Sequence, residues 1–164
     1  MPAPIIIDNT LADYISGPVA IMLSAVDEQN RPHLVRIAGC KVADGGEALV
    51  LFADRRKSEV ILAAAQARDF IAAVFCLPGP EQAMQIKGDS VMIRPPNEEE
   101  IAFQLGYRQA WVNHLVSLGY NAAFSQAIVD WPLADLVAIR FRPLAVFEQT
   151  PGPQAGTSLA GVLP

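Results

Sequence analysis

The sequence is poor in the residues that build metal centres and disulfide frameworks. Its 164 residues include two cysteines and two histidines. Cys40 and Cys76 are too few for a disulfide framework and lack the spacing of metal ligands. Each lies in an apolar strand pattern, so we expect two buried free thiols.

Positive charge is also scarce. The chain carries 12 lysines and arginines against 17 aspartates and glutamates, which gives a formal net charge of −5. This balance argues against broad electrostatic binding to nucleic acid or to anionic lipid. Basic residues that contribute to function must therefore act locally.

Long apolar runs and a secretory signal are missing as well. The most apolar region, residues 60–77, is interrupted by Gln66, Arg68 and Asp69, so no run reaches the roughly 20 residues that cross a bilayer. No basic residue precedes the apolar residues 5–7, whereas a secretory signal begins with one. These patterns predict a cytoplasmic protein without a membrane partner.

The mean hydropathy is nevertheless positive, at +0.28. A chain of this length is expected to form a single domain over residues 1–164, with an irregular tail from about residue 150. Its apolar surface exceeds what one small domain can cover, and a subunit interface would use the excess.

Strand patterns dominate the chain. Six strands are predicted at residues 19–26, 33–42, 48–53, 70–77, 82–94 and 136–147, and two helices at 57–67 and from Asn97 to about residue 119. Short turns join the first three strands into a meander, and Gly88 predicts a bend in the fifth. No Gly-rich nucleotide fingerprint follows the first strand. The fold class is therefore mainly β (α+β): a six-stranded antiparallel barrel with flanking helices.

The start of the first predicted helix is unusually basic. Arg55, Arg56, Lys57 and Ser58 directly follow a strand. A helix N-terminus offers free backbone N–H groups and a partial positive charge, and bases there normally cost stability. Three cations and a hydroxyl at this position predict a site for a phosphate dianion.

Arg36 lies in the neighbouring strand. A period of two places it on one face with Leu34, Ala38, Cys40 and Val42. One interpretation is that Arg36 forms an ion pair with an Asp or Glu of a neighbouring strand, or that its long side chain carries the guanidinium to the rim of the sheet. The other is a second arm of the anion site, and the basic helix start favours it because convergent cations specify phosphate well.

In the order of these motifs, the chain resembles the pyridoxamine 5′-phosphate oxidase-like FMN-binding split barrels. Arg36 is followed by Lys41 five residues later, and the strand ending in Phe52 leads through a short polar link to Arg55-Arg56-Lys57. A Val- and Phe-containing strand at 71–75 and the sequence Met84-Gln85-Ile86-Lys87-Gly88 follow. The likeness covers residues 19–94, roughly half of the chain.

This resemblance implies a six-stranded split barrel that forms a homodimer with FMN in the cleft between subunits. Arg36, Arg56 and Lys57 would hold the phosphate. The backbone at Ile37 and Ala38 would run along the isoalloxazine, and Gln85 or Gln82 would bond the ribityl chain or the ring. The implied cofactor-binding set is Arg36, Ile37, Ala38, Arg55, Arg56, Lys57, Ser58 and Gln85.

The chain departs from the true oxidases at its end, where no histidine follows His114, and this argues against vitamin B6 oxidation. A flavin enzyme needs few catalytic side chains, and none is identified here. We expect an FMN-dependent oxidoreductase on an unidentified small substrate, with NAD(P)H or another electron donor. The alternatives are a non-catalytic binder of flavin or another phosphorylated ligand, and a haem-binding relative.

Aromatic residues are concentrated late in the chain. Either they cover the flavin or they fill the core between helix and barrel. They are Tyr107, Trp111, Tyr120, Phe124 and Trp131.

Overall fold

The computed structural model describes residues 5–163. Its strands are β1 (Ala20–Val26), β2 (Pro32–Ile37), β3 (Cys40–Ala43), β4 (Ala48–Asp54), β5 (Phe70–Cys76), β6 (Ala83–Arg94), β7 (Leu136–Glu148) and β8 (Ser158–Gly161). Its α-helices are α1 (Asn9–Ser16), α2 (Arg55–Arg68), α3 (Glu98–Ser117) and α4 (Ala122–Ala127). Short 3₁₀ turns occupy Asp44–Gly46 and Leu133–Asp135. None of the helices in this range is long and apolar enough to cross a bilayer.

The strands form one antiparallel sheet in the order β2-β1-β5-β6-β7-β4-β3, with β8 paired to β7. The two ends of this order, β2 and β3, are consecutive in the chain, so the sheet curls into a barrel. At the seam, where the two ends of the sheet meet, two backbone hydrogen bonds join the link between β2 and β3 to β4. They run from Ala38 N to the Phe52 carbonyl at 2.9 Å and from Phe52 N to the Gly39 carbonyl at 3.2 Å. This is the mainly β, α+β barrel that the sequence predicts, with helices on its flanks.

The second predicted strand, residues 33–42, is wrong as a single element. Gly39 adopts φ +113° and breaks it into β2, which pairs with β1, and β3, which pairs with β4. The break also changes the faces. Ala38 packs outside the barrel and Cys40 inside it, while Leu34 is exposed.

Two apolar cores lie on opposite sides of β4. Leu49, Leu51 and Ala53 point into the barrel, and Val50 and Phe52 point outward under α3. Because both faces are covered, all seven residues of β4 are buried. The alternation of a half-buried strand is therefore absent here, and the end of β4 is held rigidly between two layers.

Bends in β6 and β7 let the sheet close. The register shifts between Lys87 and Gly88, and Gly88 lies opposite Pro143. A Cβ on Gly88 would lie 2.1 Å from the Arg142 carbonyl oxygen, so only glycine fits this crossing. The predicted bend at Gly88 is confirmed.

Some elements and one burial assignment differ from the sequence predictions. Helices α1 and α4 and strand β8 have no predicted counterpart. Because β8 is added and the predicted strand 33–42 is divided in two, the described chain has eight strands and not six, and the tail after residue 150 is not wholly irregular. Both cysteines are free; Cys40 is buried as expected, but Cys76 is partly exposed because it faces outward from β5.

The start of α3 is fixed by a capping box and an ion pair. Asn97 Oδ1 accepts from Glu100 N, and the Glu100 carboxylate accepts from Asn97 N. Arg94, at the end of β6, donates to both Glu100 oxygens at 2.7 and 2.6 Å. These hydrogen bonds from Arg94 hold the pKa of Glu100 below its usual value. The barrel and α3 are therefore joined through one buried carboxylate, which is 4% exposed.

We expect Glu100→Gln to lower the free energy of unfolding by about 1–2 kcal/mol at pH 7, because Arg94 loses a charged partner. The loss is no larger because Arg94 is partly exposed, and solvent screens its charge. A carboxyl whose pKa is lower in the folded state stabilises the fold above its unfolded pKa of about 4.3, and loses this effect as the pH falls through the folded pKa. The difference between the two proteins should therefore shrink below pH 4. Urea unfolding across pH measures it.

Glu98→Gln is the matched control, since Glu98 is exposed in the same helical turn. It should cost no more than a few tenths of a kcal/mol, from the helix dipole alone. Equal losses in the two variants would contradict the role given to the Arg94–Glu100 pair.

Candidate functional site

A cleft of about 280 Å³ opens where the end of β2, the start of α2 and the segment after α4 meet. Its lining residues are Met22, Leu34, Val35, Arg36, Asp54, Lys57, Ser58, Ile128 and Trp131. Strand β1 contributes Met22, which lies directly opposite Arg36. The cleft thus brings Arg36 together with two of the four residues predicted at the basic helix start.

Arg36 is held by packing and not by a carboxylate. Its guanidinium carbon lies 4.7 Å from the centre of the Trp111 ring, which is the geometry of a cation–π contact. Its Nε and Nη2 are buried and have no hydrogen-bond partner among residues 5–163. Burial lowers the pKa of Arg36, but an arginine remains charged at neutral pH. Two charged donors therefore lie unsatisfied beside the cleft.

The first turn of α2 supplies further donors. Ser58 is 1% exposed, and its Oγ has no partner among the described residues. Lys57 lines the cleft, with Nζ 6.0 Å from the centre of the Trp131 ring. The helix start, which contains no acidic residue, adds the partial positive charge of its dipole. An anion would find donors here from two elements.

Asp54 is the functional candidate that the sequence reasoning missed. It is the last residue of β4 and the N-cap of α2, where its Oδ1 accepts from Arg56 N at 3.0 Å. It is 1% exposed, and its Oδ2 has no partner in the described chain. The sequence signal was an aspartate directly before a basic helix start, which indicates an N-cap but does not reveal that the carboxylate faces a cleft.

Arg55 and Arg56 do not line this cleft. Both border a separate groove of about 610 Å³ along α2. Arg56 Nε lies 2.9 Å from Asp135 Oδ2 and 3.8 Å from Asp54 Oδ1. The structure therefore divides the predicted basic cluster: Lys57 and Ser58 face the cleft, and Arg55 and Arg56 face away from it.

The other predicted cofactor residues either lie far from Arg36 or are already buried or hydrogen-bonded within the fold. Arg36, Met22, Val74 and Gln85 follow one another across four neighbouring strands. At the usual strand spacing Gln85 lies about 14 Å from Arg36, beside a different hollow that Ser24 and Lys87 also line.

Ile37 and Ala38 are fully buried, and the Ala38 amide is bonded to Phe52. Gln82 lies in the turn before β6, where its carbonyl accepts from the Tyr14 hydroxyl. The structure thus leaves these three residues without a contact to the cleft.

One wall of the cleft is fixed by a hydrogen-bond network from α3. Arg108 donates to the Trp131 carbonyl and to Gln104 Oε1, each at 2.8 Å, and Asp130 lies 3.6 Å away. Burial lowers the pKa of Arg108. Trp131 is therefore held in place before any ligand arrives.

The late aromatic residues divide between the two interpretations. Tyr107, Trp111 and Trp131 are buried in the core between α3 and the barrel. Tyr120 and Phe124 are exposed and stack on each other, with ring centres 6.4 Å apart. Packing of the helix onto the barrel accounts for the first three, and of these Trp131 also borders the cleft.

Neither histidine lies at the cleft. His114 Nε2 is 2.8 Å from the Pro78 carbonyl oxygen, and His33 Nε2 is 3.0 Å from Asp27 Oδ2. Hydrogen bonding to His33 is the main reason why the pKa of Asp27 lies well below its usual value. Both imidazoles are thus occupied by local partners.

No protein-family model and no curated protein sequence matches this chain. Among solved structures, it is similar to an F420 reductase, with 18% identity and a TM-score of 0.53 over 82% of this chain and 93% of that one. It is also similar to HupZ of Group A Streptococcus, with 15% identity and a TM-score of 0.55 over 92% of this chain and 99% of that one.

A pyridoxamine 5′-phosphate oxidase-related, FMN-binding protein of Nostoc punctiforme PCC 73102 is 13% identical, with a TM-score of 0.47 over 94% of this chain and 90% of that one. At these identities a likeness concerns the fold alone. The chain has the antiparallel split-barrel fold expected from the sequence, and its likeness to F420 reductase and HupZ is a likeness of fold.

Proposed function

We propose that this chain binds FMN, with the phosphate seated in the cleft between β2 and α2. One observation supports this assignment above all: three buried donor atoms without a partner in residues 5–163, Arg36 Nε, Arg36 Nη2 and Ser58 Oγ, belong to residues that line the same cleft. Leaving a buried donor unsatisfied costs free energy, more so when it is charged. A phosphate accepts from all three and recovers that cost.

The residues present fit the phosphate better than they fit the whole cofactor. Arg36 and Lys57 supply two positive charges, Ser58 a hydroxyl, and α2 its free N–H groups and dipole. Arg55 and Arg56, by contrast, are left out of the proposed set because they border another groove. The proposed phosphate contacts are therefore Arg36, Lys57 and Ser58.

The cleft of one chain is small for a flavin nucleotide. Its volume of about 280 Å³ is below the roughly 300–1,000 Å³ usual for small-molecule sites. Beside it, the outer face of β1 and β5 presents the part-exposed Met22, Ser24, Ala72 and Val74. We propose that a second copy covers this face and completes the site, which makes the protein a homodimer.

The proposed activity is oxidoreduction of a small substrate, in the cytoplasm. When bound, the flavin ring itself supplies the hydride or electron exchange. The chain would hold the phosphate through Arg36, Lys57 and Ser58, and Trp131 would keep water from one side of the cleft. No side chain is required to move a proton for this role, and NADH and NADPH are the first donors to test.

Lys57→Ala should weaken FMN binding about tenfold or more, because a charge-assisted contact to the phosphate is lost. Arg55→Ala is the matched control, since it removes the same charge two residues away but outside the cleft. It should change the Kd less than about threefold, because exposed charges at a distance are screened. Titration of FMN fluorescence measures both, and equal effects would contradict the assignment.

Ser58→Ala should have opposite effects on stability and on binding. The variant removes a buried hydroxyl that has no partner in the described chain, so the free protein should gain up to about 1 kcal/mol in unfolding free energy. Its affinity for FMN should fall about fivefold, because one phosphate contact is lost. Thermal unfolding without ligand tests the expected gain in stability, and FMN titration tests the expected loss of affinity. A loss of stability without ligand would show that Ser58 has a structural role.

FMN-loaded protein should lose its yellow colour when NADH or NADPH is added without oxygen, and regain it in air. The absorption spectrum follows both steps. A flavin that binds tightly and is reduced by dithionite, but by neither NADH nor NADPH, would favour the non-catalytic binder. Tight binding of haem or of the deazaflavin F420 in place of FMN would overturn the choice of cofactor.

A further inference from the structure

The cleft holds a carboxylate that a phosphate site does not need. Asp54 is 1% exposed and lines the cleft together with Arg36, Lys57 and Ser58. Its Oδ1 is engaged as the cap of α2. Its Oδ2 is buried without a hydrogen-bond partner in the described part of the chain. A buried, ionised oxygen with no donor is among the costliest groups that a fold can contain.

The charges that face Asp54 do not satisfy this oxygen. From α2, Arg56 Nε lies 3.8 Å from Oδ1, but it is also bound to Asp135 at 2.9 Å. From β2, Arg36 borders the same cleft, yet the ion pairs of residues 5–163 include none between Arg36 and Asp54. Arg36 and Asp54 thus line one small cleft without forming an ion pair with each other, which leaves both charges available to an incoming group.

A bare phosphate dianion is a poor occupant for such a cleft. It accepts hydrogen bonds from Arg36, Lys57 and Ser58, but it has no proton for Asp54 and is repelled by it. The occupant that satisfies both sides carries an anion and, close to it, a hydrogen-bond donor. A hydroxyl on the carbon next to the one that carries the phosphate ester supplies this donor.

We propose that Asp54 is a specificity-determining residue that accepts a hydrogen bond from a hydroxyl next to the ligand's phosphate, so that the cleft selects phosphorylated polyols. This inference rests on the proposed function. In FMN the ribityl chain ends in the phosphate, and the 4′-hydroxyl is its nearest neighbour. Asp54 would discriminate against phosphates that lack such a hydroxyl, and against anions such as carboxylates that carry no donor at all.

The test compares FMN with 4′-deoxy-FMN in the full-length protein and in Asp54→Asn. Asparagine caps a helix as well as aspartate does, so the fold is retained while the charge is removed. In the unaltered protein the deoxy analogue should bind about tenfold or more weakly, since a hydrogen bond to a charged acceptor is lost. In Asp54→Asn the two ligands should differ by no more than about threefold.

Asp135→Asn is the control, because it removes an equal charge that pairs with Arg56 outside the cleft. It should leave the ratio of the two dissociation constants unchanged. The same ratio in the unaltered protein and in Asp54→Asn would overturn the inference while leaving FMN binding intact, and it would point to a proton on the phosphate itself as the donor. Failure of the unaltered protein to bind FMN would overturn the proposed function as well.

Discussion

The site depends on how the positive charge of Arg36 is held inside the protein. No carboxylate forms an ion pair with it in the described chain, and its guanidinium lies over the face of Trp111. A cation–π contact recovers part of the cost of burial, on the order of 1–2 kcal/mol when desolvated, and leaves two donor nitrogens without acceptors. The same indole packs α3 onto the barrel. The helix that covers the barrel therefore also fixes the charge at the cleft.

Helical geometry explains why the basic cluster is divided. Consecutive residues of an α-helix are about 100° apart around its axis, so residues 55–58 together span about 300° and cannot all face one groove. Arg56 turns toward Asp135, and Lys57 turns toward the cleft. Ser58, one step further, is buried against the barrel side. One short segment thus serves as an anchor on one side and as a row of anion donors on the other.

Much of the fold follows from the sequence, and the errors have local causes. Strand patterns at β1, β4, β5 and β6, the bend at Gly88 and the cap at Asn97 were predicted because each depends on neighbouring residues alone. The break at Gly39 was not predicted, because a glycine within a strand pattern does not reveal that it has a positive φ. Nor does it reveal that the pairing partner changes there from β1 to β4. Strand β8 was missed because its four residues are all exposed and show no alternation, and only pairing with β7 makes them a strand.

The candidate site was predicted only in part, because some of its features depend on contacts between residues far apart in the sequence. The sequence predicts that Arg36 lies near the start of α2, and Arg36, Lys57 and Ser58 line one cleft in the structure. Which of the four helix-start residues face the cleft is set by the exit angle of α2 from β4, and the presence of Asp54 among them by its role as the cap. Neither is visible in a one-dimensional pattern.

Near Gly39, the link between β2 and β3 is joined to β4 by two backbone hydrogen bonds, whereas β1 pairs with β2 and with β5 over five or six residues. Segments with few hydrogen bonds open at low free energy, and Arg36 lies three residues before Gly39. A group bound between Arg36 and α2 would connect β2 to the corner between β4 and α2, so ligand binding should also stabilise the barrel at this point.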